Sequence, residues 1–285
     1  MEHSTQHTPI VRAKRLFLAK IQVSDAPQAM KWCGDPEATK FLRFSTYTDV
    51  KQLEQWISTQ QNSDEFGVFL NDGTLIGSIG CSENHDGSWE LGYVFNHEFW
   101  GKGYATEAAF AVLAYTAETK DVRSFHVSHA KENVRSQRVI EKLGFVFEYE
   151  GSYSKFDNSA TFANKNYTLN INLHQMNLDR VPYEKIITGQ KTVEMRLNDE
   201  KRQNFAVGDF VTLCCGENKI VAKIADIRKY TDFAALYAAE DLTKCGYTAQ
   251  EAQNASSEDM LAYYPAEKQA NYGALAIEIE VLATF

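Results

Sequence analysis

No stretch of this sequence is apolar for long: runs such as Ala108–Tyr115 fall well short of the ~20 residues a membrane helix needs. Met1–Arg15 is polar, carrying His, Thr and Gln and lacking the apolar core of a secretion signal. A soluble, cytoplasmic protein with no membrane partner is therefore expected. Cysteine is scarce. Cys33, Cys81, Cys214, Cys215 and Cys245 are an odd number with no C-x-x-C pair, which excludes a disulfide scaffold and points to buried thiols in a reducing compartment. His126 and His129 form an H-x-x-H without a Cys, His or acidic partner at ligand spacing, so no structural metal is expected. An excess of positive charge is missing as well. The net charge is −9, with 17 Lys+Arg against 21 Asp+Glu up to residue 170 and 12 against 17 beyond it. A broadly basic nucleic-acid binder is excluded, and any RNA contact needs a local patch. Internal repeats, low-complexity tracts and a Gly/Ser linker are absent too.

What is present is an ordinary globular composition, 44% hydrophobic and 24% charged over 285 residues, long enough for two domains at roughly 100–200 residues each. A strand at Arg15–Ile21 precedes helices near Asp25–Trp32 and Asp49–Gln60, the second capped by Asp49. Phe66–Leu70 and Leu75–Cys81 flank Asn71-Asp72-Gly73-Thr74, a hairpin signal. A strand at Trp89–Asn96 leads through a glycine-containing loop into a helix over Thr106–Thr119, whose Ala108, Ala111, Val112 and Tyr115 share a face. A strand at Ser124–Ser128, a helix at Val134–Leu143 closed by Gly144, and strands at Phe147–Ser154 and Ala163–Ile171 complete an α/β unit. After Ile171 the texture changes to short strands near His174–Leu178, Thr192–Leu197, Asp209–Cys215, Ile220–Tyr230 and Ala274–Val281. They are interrupted by a helix at Pro182–Thr188 and a polar helical region over Asp232–Ala262. This pattern predicts a small β-barrel.

The most informative stretch is Phe95-Asn96-His97-Glu98-Phe99-Trp100-Gly101-Lys102-Gly103-Tyr104-Ala105-Thr106-Glu107-Ala108. A strand that passes through small residues straight into a helix aims free backbone N–H groups at one spot, backed by the helix dipole. Gly101 and Gly103 admit a ligand without Cβ obstruction. Spacing alone leaves two readings, an anion site suited to a pyrophosphate or an ordinary strand–helix turn.

With Arg15-Leu16-Phe17-Leu18 and the series Asn133…Ser136…Lys142-Leu143-Gly144-Phe145, this stretch resembles the GNAT superfamily of N-acetyltransferases. The nearer likeness is to the branch of the ribosomal-protein N-terminal acetyltransferases RimJ and RimL. The resemblance covers residues 10–170 and implies an α/β (α+β) GNAT fold, a mixed sheet flanked by helices, with acetyl-CoA as cofactor. The superfamily pattern Q/R-x-x-G-x-G/A falls on Trp100, Gly103 and Ala105, with Trp in place of Gln or Arg. The resemblance implies that backbone N–H groups of Gly101, Lys102, Gly103, Tyr104, Ala105 and Thr106 hold the pyrophosphate. Tyr93, Val94 and Phe95 would splay from the neighbouring strand and bond the pantetheine arm. Asn133 and Ser136 would face the thiol end, and Lys142 the cofactor's rim. The chemistry asks for positioning, an oxyanion donor and a base acting through water. Glu90 is the candidate base or a solvated strand residue. Ser136 is a candidate proton donor or a helix-start residue bonding its own backbone.

Gly189-Gln190-Lys191-Thr192-Val193-Glu194-Met195-Arg196 runs from a turn into a strand on which Thr192, Glu194 and Arg196 share a face. Such a face beside Lys191 binds a ligand rich in donors and acceptors, or is a surface ion pair worth at most ~1 kcal/mol. G-x-K-x-x-E-x-R resembles the signature of the ASCH domain, a PUA-like β-barrel. It falls on Gly189, Lys191, Glu194 and Arg196, with Val207-Gly208-Asp209 also similar. The resemblance covers 172–283, so the second domain is taken as 172–285. It implies RNA or a nucleotide-like ligand at Lys191, Thr192, Glu194 and Arg196. A branch of similar proteins hydrolyses N4-acetylcytidine with a Lys and a Thr three residues later, where this sequence has Glu194. Tyr183, Phe205, Tyr230 and Tyr237 are available for stacking.

The expectation is an acetyl-CoA-dependent N-acetyltransferase acting on a primary amine, either a protein N-terminus or a small molecule. It is fused to a domain that binds RNA or a nucleoside. The alternatives are a bifunctional chain whose ASCH domain hydrolyses an acetylated nucleoside or RNA, and a module that holds CoA without turnover. The acyl acceptor and the oligomeric state stay open.

Overall fold

In a computed structural model that describes residues 7–60 and 63–285, the chain divides in sequence between Ile171 and Asn172. The first unit contains β1 (Val11–Arg12), β2 (Leu16–Ala19), α1 (Ala26–Cys33), α2 (Pro36–Thr39), α3 (Val50–Thr59), β3 (Glu65–Leu70) and β4 (Leu75–Glu83). There follow β5 (Trp89–Phe95), α4 (Tyr104–Thr119), β6 (Ser124–Ala130), α5 (Val134–Leu143), β7 (Val146–Ser154) and β8 (Thr161–Asn170). Local chemistry starts these elements where the sequence suggests. Asp49 accepts from Lys51 N to cap α3. Asp72 accepts from Thr74 N, and Gly73 takes a φ of +89° to close the β3–β4 turn.

The strands lie in the order β7-β8-β6-β5-β4-β3-β2-β1. β5 and β6 run parallel, whereas β4–β5 and β6–β8 are antiparallel, so the sheet is mixed. Helices cover both faces. α1 and α3 bury Trp32, Leu53 and Ile57 against Phe17 and Phe69. α4 packs on β2, β4 and β5 with Ala108, Ala109, Ala111, Val112, Leu113 and Ala114 fully buried. Its small side chains let the helix axis lie close to the sheet and bring its N-terminus to the end of β5.

The second unit has β9 (Leu173–Asn177), α6 (Arg180–Ile187), β10 (Val193–Leu197), β11 (Phe210–Cys215), β12 (Asn218–Tyr230), α7 (Phe233–Ala239), α8 (Ala249–Asn254), α9 (Ala266–Tyr272) and β13 (Ala274–Thr284). β13 pairs with both β10 and β12, and β11 joins β12 to β9. Irregularities in β12 at Val221/Ala222 and Ile224/Asp226 bend the strand, as bulges do. Both faces are buried. Leu275, Ile277 and Ile279 join Tyr183 and Ile186 on one side, while Ala274 and Ala276 join Val193, Met195 and Phe233 on the other. This sheet-rich unit fits the β-barrel class expected of it.

The differences from the sequence reading are local. β1 and α2 are too short to leave a periodic signal. The helical region expected over 232–262 is broken: Glu240 is extended, a capping box between Thr248 and Glu251 starts α8 afresh, and α9 lies beyond it.

Candidate active site

The turn between β5 and α4 carries two glycines in the left-handed region, Gly101 at φ +76° and Gly103 at φ +83°. Such angles strain any residue with a Cβ. A Cβ at Gly101 would meet nothing within 4 Å, so the backbone there is open to a ligand. Tyr104, Ala105 and Thr106 form the first turn of α4, where N–H groups have no preceding carbonyl and sit at the positive end of the helix dipole. Arg15 clamps the turn. Its Nε lies 2.6 Å from Glu107 Oε2, its backbone N–H donates to Glu107 Oε1 (2.6 Å), and NH1 donates to the Lys102 carbonyl (3.0 Å). Its guanidinium also lies 4.6 Å from the Tyr104 ring centroid. Arg15 and Glu107 are 92 positions apart, and no local sequence signal links them.

β5 pairs with β6 through Trp89 and Glu90 and no further, yet it stays paired with β4 as far as Phe95. The β6 side of Leu91–Phe95 therefore has no strand partner among the described residues. A cleft of about 1410 Å³ opens there, larger than the ~300–1,000 Å³ of a drug-sized site. Every residue singled out for the first site lines it except Lys102. The Lys102 ammonium lies 5.1 Å from the centroid of the Phe99 ring.

Several side chains do other work than the sequence suggests. Asn133 accepts from Ser136 N (3.2 Å) to cap α5, so the capping group is Asn133 and its Oδ1 is already engaged. The Ser136 hydroxyl lies 2.8 Å from the Tyr93 hydroxyl. Burial pushes Tyr93 up to about 12, so the pair stays neutral at physiological pH. Trp100 donates its indole N–H to the Phe95 carbonyl (2.8 Å) and stacks under the Arg135 guanidinium at 4.5 Å. Glu90 Oε1 accepts from Ser128 Oγ at 3.4 Å. Glu65, on β3, also lines the cleft. Burial raises its carboxyl to about 7, against the pull of Lys20 and with a push from Asp64. A single Glu at a strand start gave no hint of this. His126 lies 3.9 Å from Glu148. His129 is buried against the Ala130 carbonyl and Tyr167, and burial holds it below its ordinary range.

The second unit has a pocket of about 980 Å³ over the start of β10. The surface-ion-pair reading fails there, because Lys191 is 7% and Glu194 5% exposed. Lys191 Nζ donates to the Cys245 carbonyl (2.9 Å) and lies 3.4 Å from Glu194 Oε2, while Arg196 Nε lies 2.8 Å from Glu194 Oε1. Glu194 Oε2 is buried without a hydrogen-bond partner. Thr192 is not brought in: it precedes β10, bonds the Lys244 carbonyl and does not line the pocket. Tyr183 and Phe205 are core residues, Tyr230 is held by Glu240, and Tyr237 by Tyr247. The aromatics at the pocket are Tyr247, Tyr263 and Tyr264, which sequence reasoning missed because Tyr247 stands in the polar helical region and Tyr263 and Tyr264 directly follow it.

Residues 15–146 match the model of the acetyltransferase (GNAT) domain, and residues 176–283 that of the ASCH domain. The chain joins a GNAT acetyltransferase domain to an ASCH domain. The uncharacterized N-acetyltransferase p20 of Bacillus licheniformis is 27% identical over 144 residues, covering 47% of this chain and 81% of that protein. The uncharacterized protein YkkB of Bacillus subtilis is 30% identical over 125 residues, 40% of this chain and 71% of that protein. The crystal structure of a GNAT-family acetyltransferase from Bacillus anthracis superposes with a TM-score of 0.52 at 24% identity, covering 56% of this chain and 97% of that one. The first domain is thus an N-acetyltransferase, and acetyl-CoA is its acetyl donor. The GNAT cleft suits that donor on its own geometry, with an open positive-φ turn for a pyrophosphate and an unpaired strand edge for an extended amide-bearing arm. Among the described residues no three His, Cys, Asp or Glu side chains gather as a metal site, and no helix is long and apolar enough to cross a membrane.

Proposed function

We propose that the GNAT domain, residues 10–170, acetylates a primary amine of a protein N-terminus or a small molecule. The ASCH domain, residues 172–285, takes RNA or a nucleoside-like ligand. The observation that carries the first part is the open turn Gly101–Thr106 beside the unpaired edge of β5. The bound thioester supplies an activated acetyl carbonyl. Backbone N–H groups of Gly101–Thr106 bind the pyrophosphate, the Leu91–Phe95 edge bonds the pantetheine amides, and Lys142 faces the rim. Glu90 orients the amine or a water beside it. The Ser136 hydroxyl, held by Tyr93, returns a proton to the sulfur. The test is acetyl transfer from acetyl-CoA to a free-amine peptide and to a small alkyl diamine, followed by thiol release and mass spectrometry. A Glu90→Gln variant should slow transfer at unchanged acetyl-CoA affinity. Equal rates in both proteins would remove Glu90 from the mechanism.

Support for the ASCH reading comes from the buried Glu194 Oε2, which accepts no hydrogen bond although the Lys191 ammonium lies 3.4 Å away, in a pocket that also holds Lys191 and Arg196. A donor-bearing base would satisfy it. Calorimetry with cytidine, N4-acetylcytidine and a short oligouridine tests this, and absence of heat with all three would overturn it. The closeness of Lys191 to Glu194 also favours a second reading, hydrolysis of an acetylated nucleoside, which Lys191→Ala should abolish without changing acetyl-CoA binding.

A further inference from the structure

We propose that Glu65 is a second catalytic carboxylate of the acetyl-transfer cleft, receiving the proton that the acceptor amine must lose. This inference rests on the reading that the cleft transfers acetyl to an amine.

The register of three adjacent strands sets the geometry. Glu65 on β3 stands opposite Gly80 on β4, and Gly80 stands opposite Gly92 on β5. Directly opposed residues project to the same face of a sheet. Ser82 and Glu90 form the next opposed pair on that face. Glu65 therefore shares a face with Glu90, which stands one row along beside Ser82, and its own row continues over Gly80 and Gly92, two residues without side chains. A Cβ at Gly80 would lie 2.7 Å from the Glu65 carboxyl carbon, so the carboxyl lies across Gly80 and fills its place. A Cβ at Gly92 would meet nothing within 4 Å, and the space above it belongs to the cleft. Opposed Cβ positions are about 4.5–5.5 Å apart. An amine above Gly92 is therefore within reach of Glu65 directly or through one water.

The charges around Glu65 leave it available. Lys20, at the end of β2, turns its ammonium to the backbone carbonyls of Ser63 and Glu65. Asp64 is 3.3 Å from Lys120. Cys81 is the neighbouring titratable group on β4 and is itself raised by burial. Among the described residues no side chain hydrogen-bonds the Glu65 carboxyl, whereas Glu90 already accepts from Ser128. A carboxyl partly desolvated in this way titrates near neutrality, where a general base is most effective.

The protons balance. The acceptor arrives as an ammonium, and the Glu65 carboxylate takes one proton to free the nitrogen lone pair. The N–C bond forms at the thioester carbonyl and the C–S bond breaks. The second amine proton passes by way of the Ser136 hydroxyl to the sulfur, and Glu65 gives its proton to water.

The test compares wild type, Glu65→Gln, Glu65→Asp and Gly92→Val as full-length chains, using a free-amine peptide and a small alkyl diamine as acceptors. Glu65→Gln should lower kcat at pH 7.5 by about 100-fold or more, leave the acetyl-CoA Kd within about twofold, and abolish the fall in kcat/KM below pH 7. Glu65→Asp should recover part of the rate. Gly92→Val fills the hollow while leaving the Glu65 carboxyl in the chain and should raise the amine KM about tenfold. Transfer by Glu65→Gln at the wild-type rate, with the acid limb of the profile intact, would overturn the proposal while leaving the transferase reading in place. Should Glu65→Gln fold poorly, an unchanged amine KM in Gly92→Val would overturn it instead. Wild type that neither binds acetyl-CoA nor acetylates either amine would end the transferase reading and this proposal together.

Discussion

The two candidate sites use opposite materials. The GNAT cleft is made chiefly of backbone: two glycines at positive φ, the first turn of α4, and a strand edge that β6 has left. The ASCH pocket is centred on charged side chains, Lys191 and Glu194, which are buried, and Arg196, which is half-buried beside them. A backbone site keeps its shape when most side chains change but fails when a glycine does. A buried charge site fails when any one member is removed, because the remaining charge is left without a partner.

The largest expected effect sharpens that contrast. Lys191→Ala should destabilise the ASCH domain by about 3–5 kcal/mol, whereas Lys191→Met with Glu194→Leu should cost far less. All four tryptophans lie at positions 32, 56, 89 and 100. Tryptophan fluorescence therefore follows the GNAT domain, and far-UV circular dichroism should show a separate, earlier transition in Lys191→Ala. A single coincident transition would contradict the independence of the two sites. Next in size, Arg15→Met should release the turn from Glu107 and Lys102 and weaken acetyl-CoA about tenfold, ~1.4 kcal/mol, as read by calorimetry. An unchanged Kd would mean that the turn needs no clamp.

A smaller effect concerns pH. The folded state raises Glu65 to about 7 from 4.5. Its contribution to stability is full below its unfolded value and is lost as pH rises through about 7. Glu65→Gln should therefore gain in melting temperature over wild type between pH 5 and pH 8, and an equal difference at both would show that the carboxyl is not strained by ionisation. Smallest of all, Ser136→Ala should lower kcat by less than tenfold, because Tyr93 keeps a hydroxyl at the same place. A larger loss would make Ser136 the main donor.

The same contrast explains what was legible in the sequence. Gly101 and Gly103 announce a turn because few other residues tolerate its angles, the alternation of strands and helices around them gives an α/β unit, and the mixed sheet came from the family resemblance. Asp49 and the Asn71–Thr74 turn carry their own local hydrogen bonds and fall where expected. Burial was not legible. Spacing left Lys191 and Glu194 between a surface pair and a ligand-binding face, because it says nothing about the later segment around Cys245 that packs against Lys191. Thr192 read as part of the site because the start of β10 was placed one residue early. The cap that Asn133 Oδ1 makes to Ser136 N and the contact of the Lys102 ammonium with Phe99 were not legible either, although Asn133 lines the cleft as expected. Glu65 left no mark, and Arg15 entered only as the start of the motif Arg15–Leu18, since their roles come from residues brought together by the sheet.

The most direct test is titration of acetyl-CoA into the full-length protein and into Gly103→Glu. The variant forces a side chain into φ +83° and sets a negative charge against the phosphate cradle. Micromolar binding by wild type that disappears in the variant is the predicted result. Equal binding by the two proteins, or none by wild type, would contradict the assignment of the Gly101–Thr106 turn as the acetyl-CoA site.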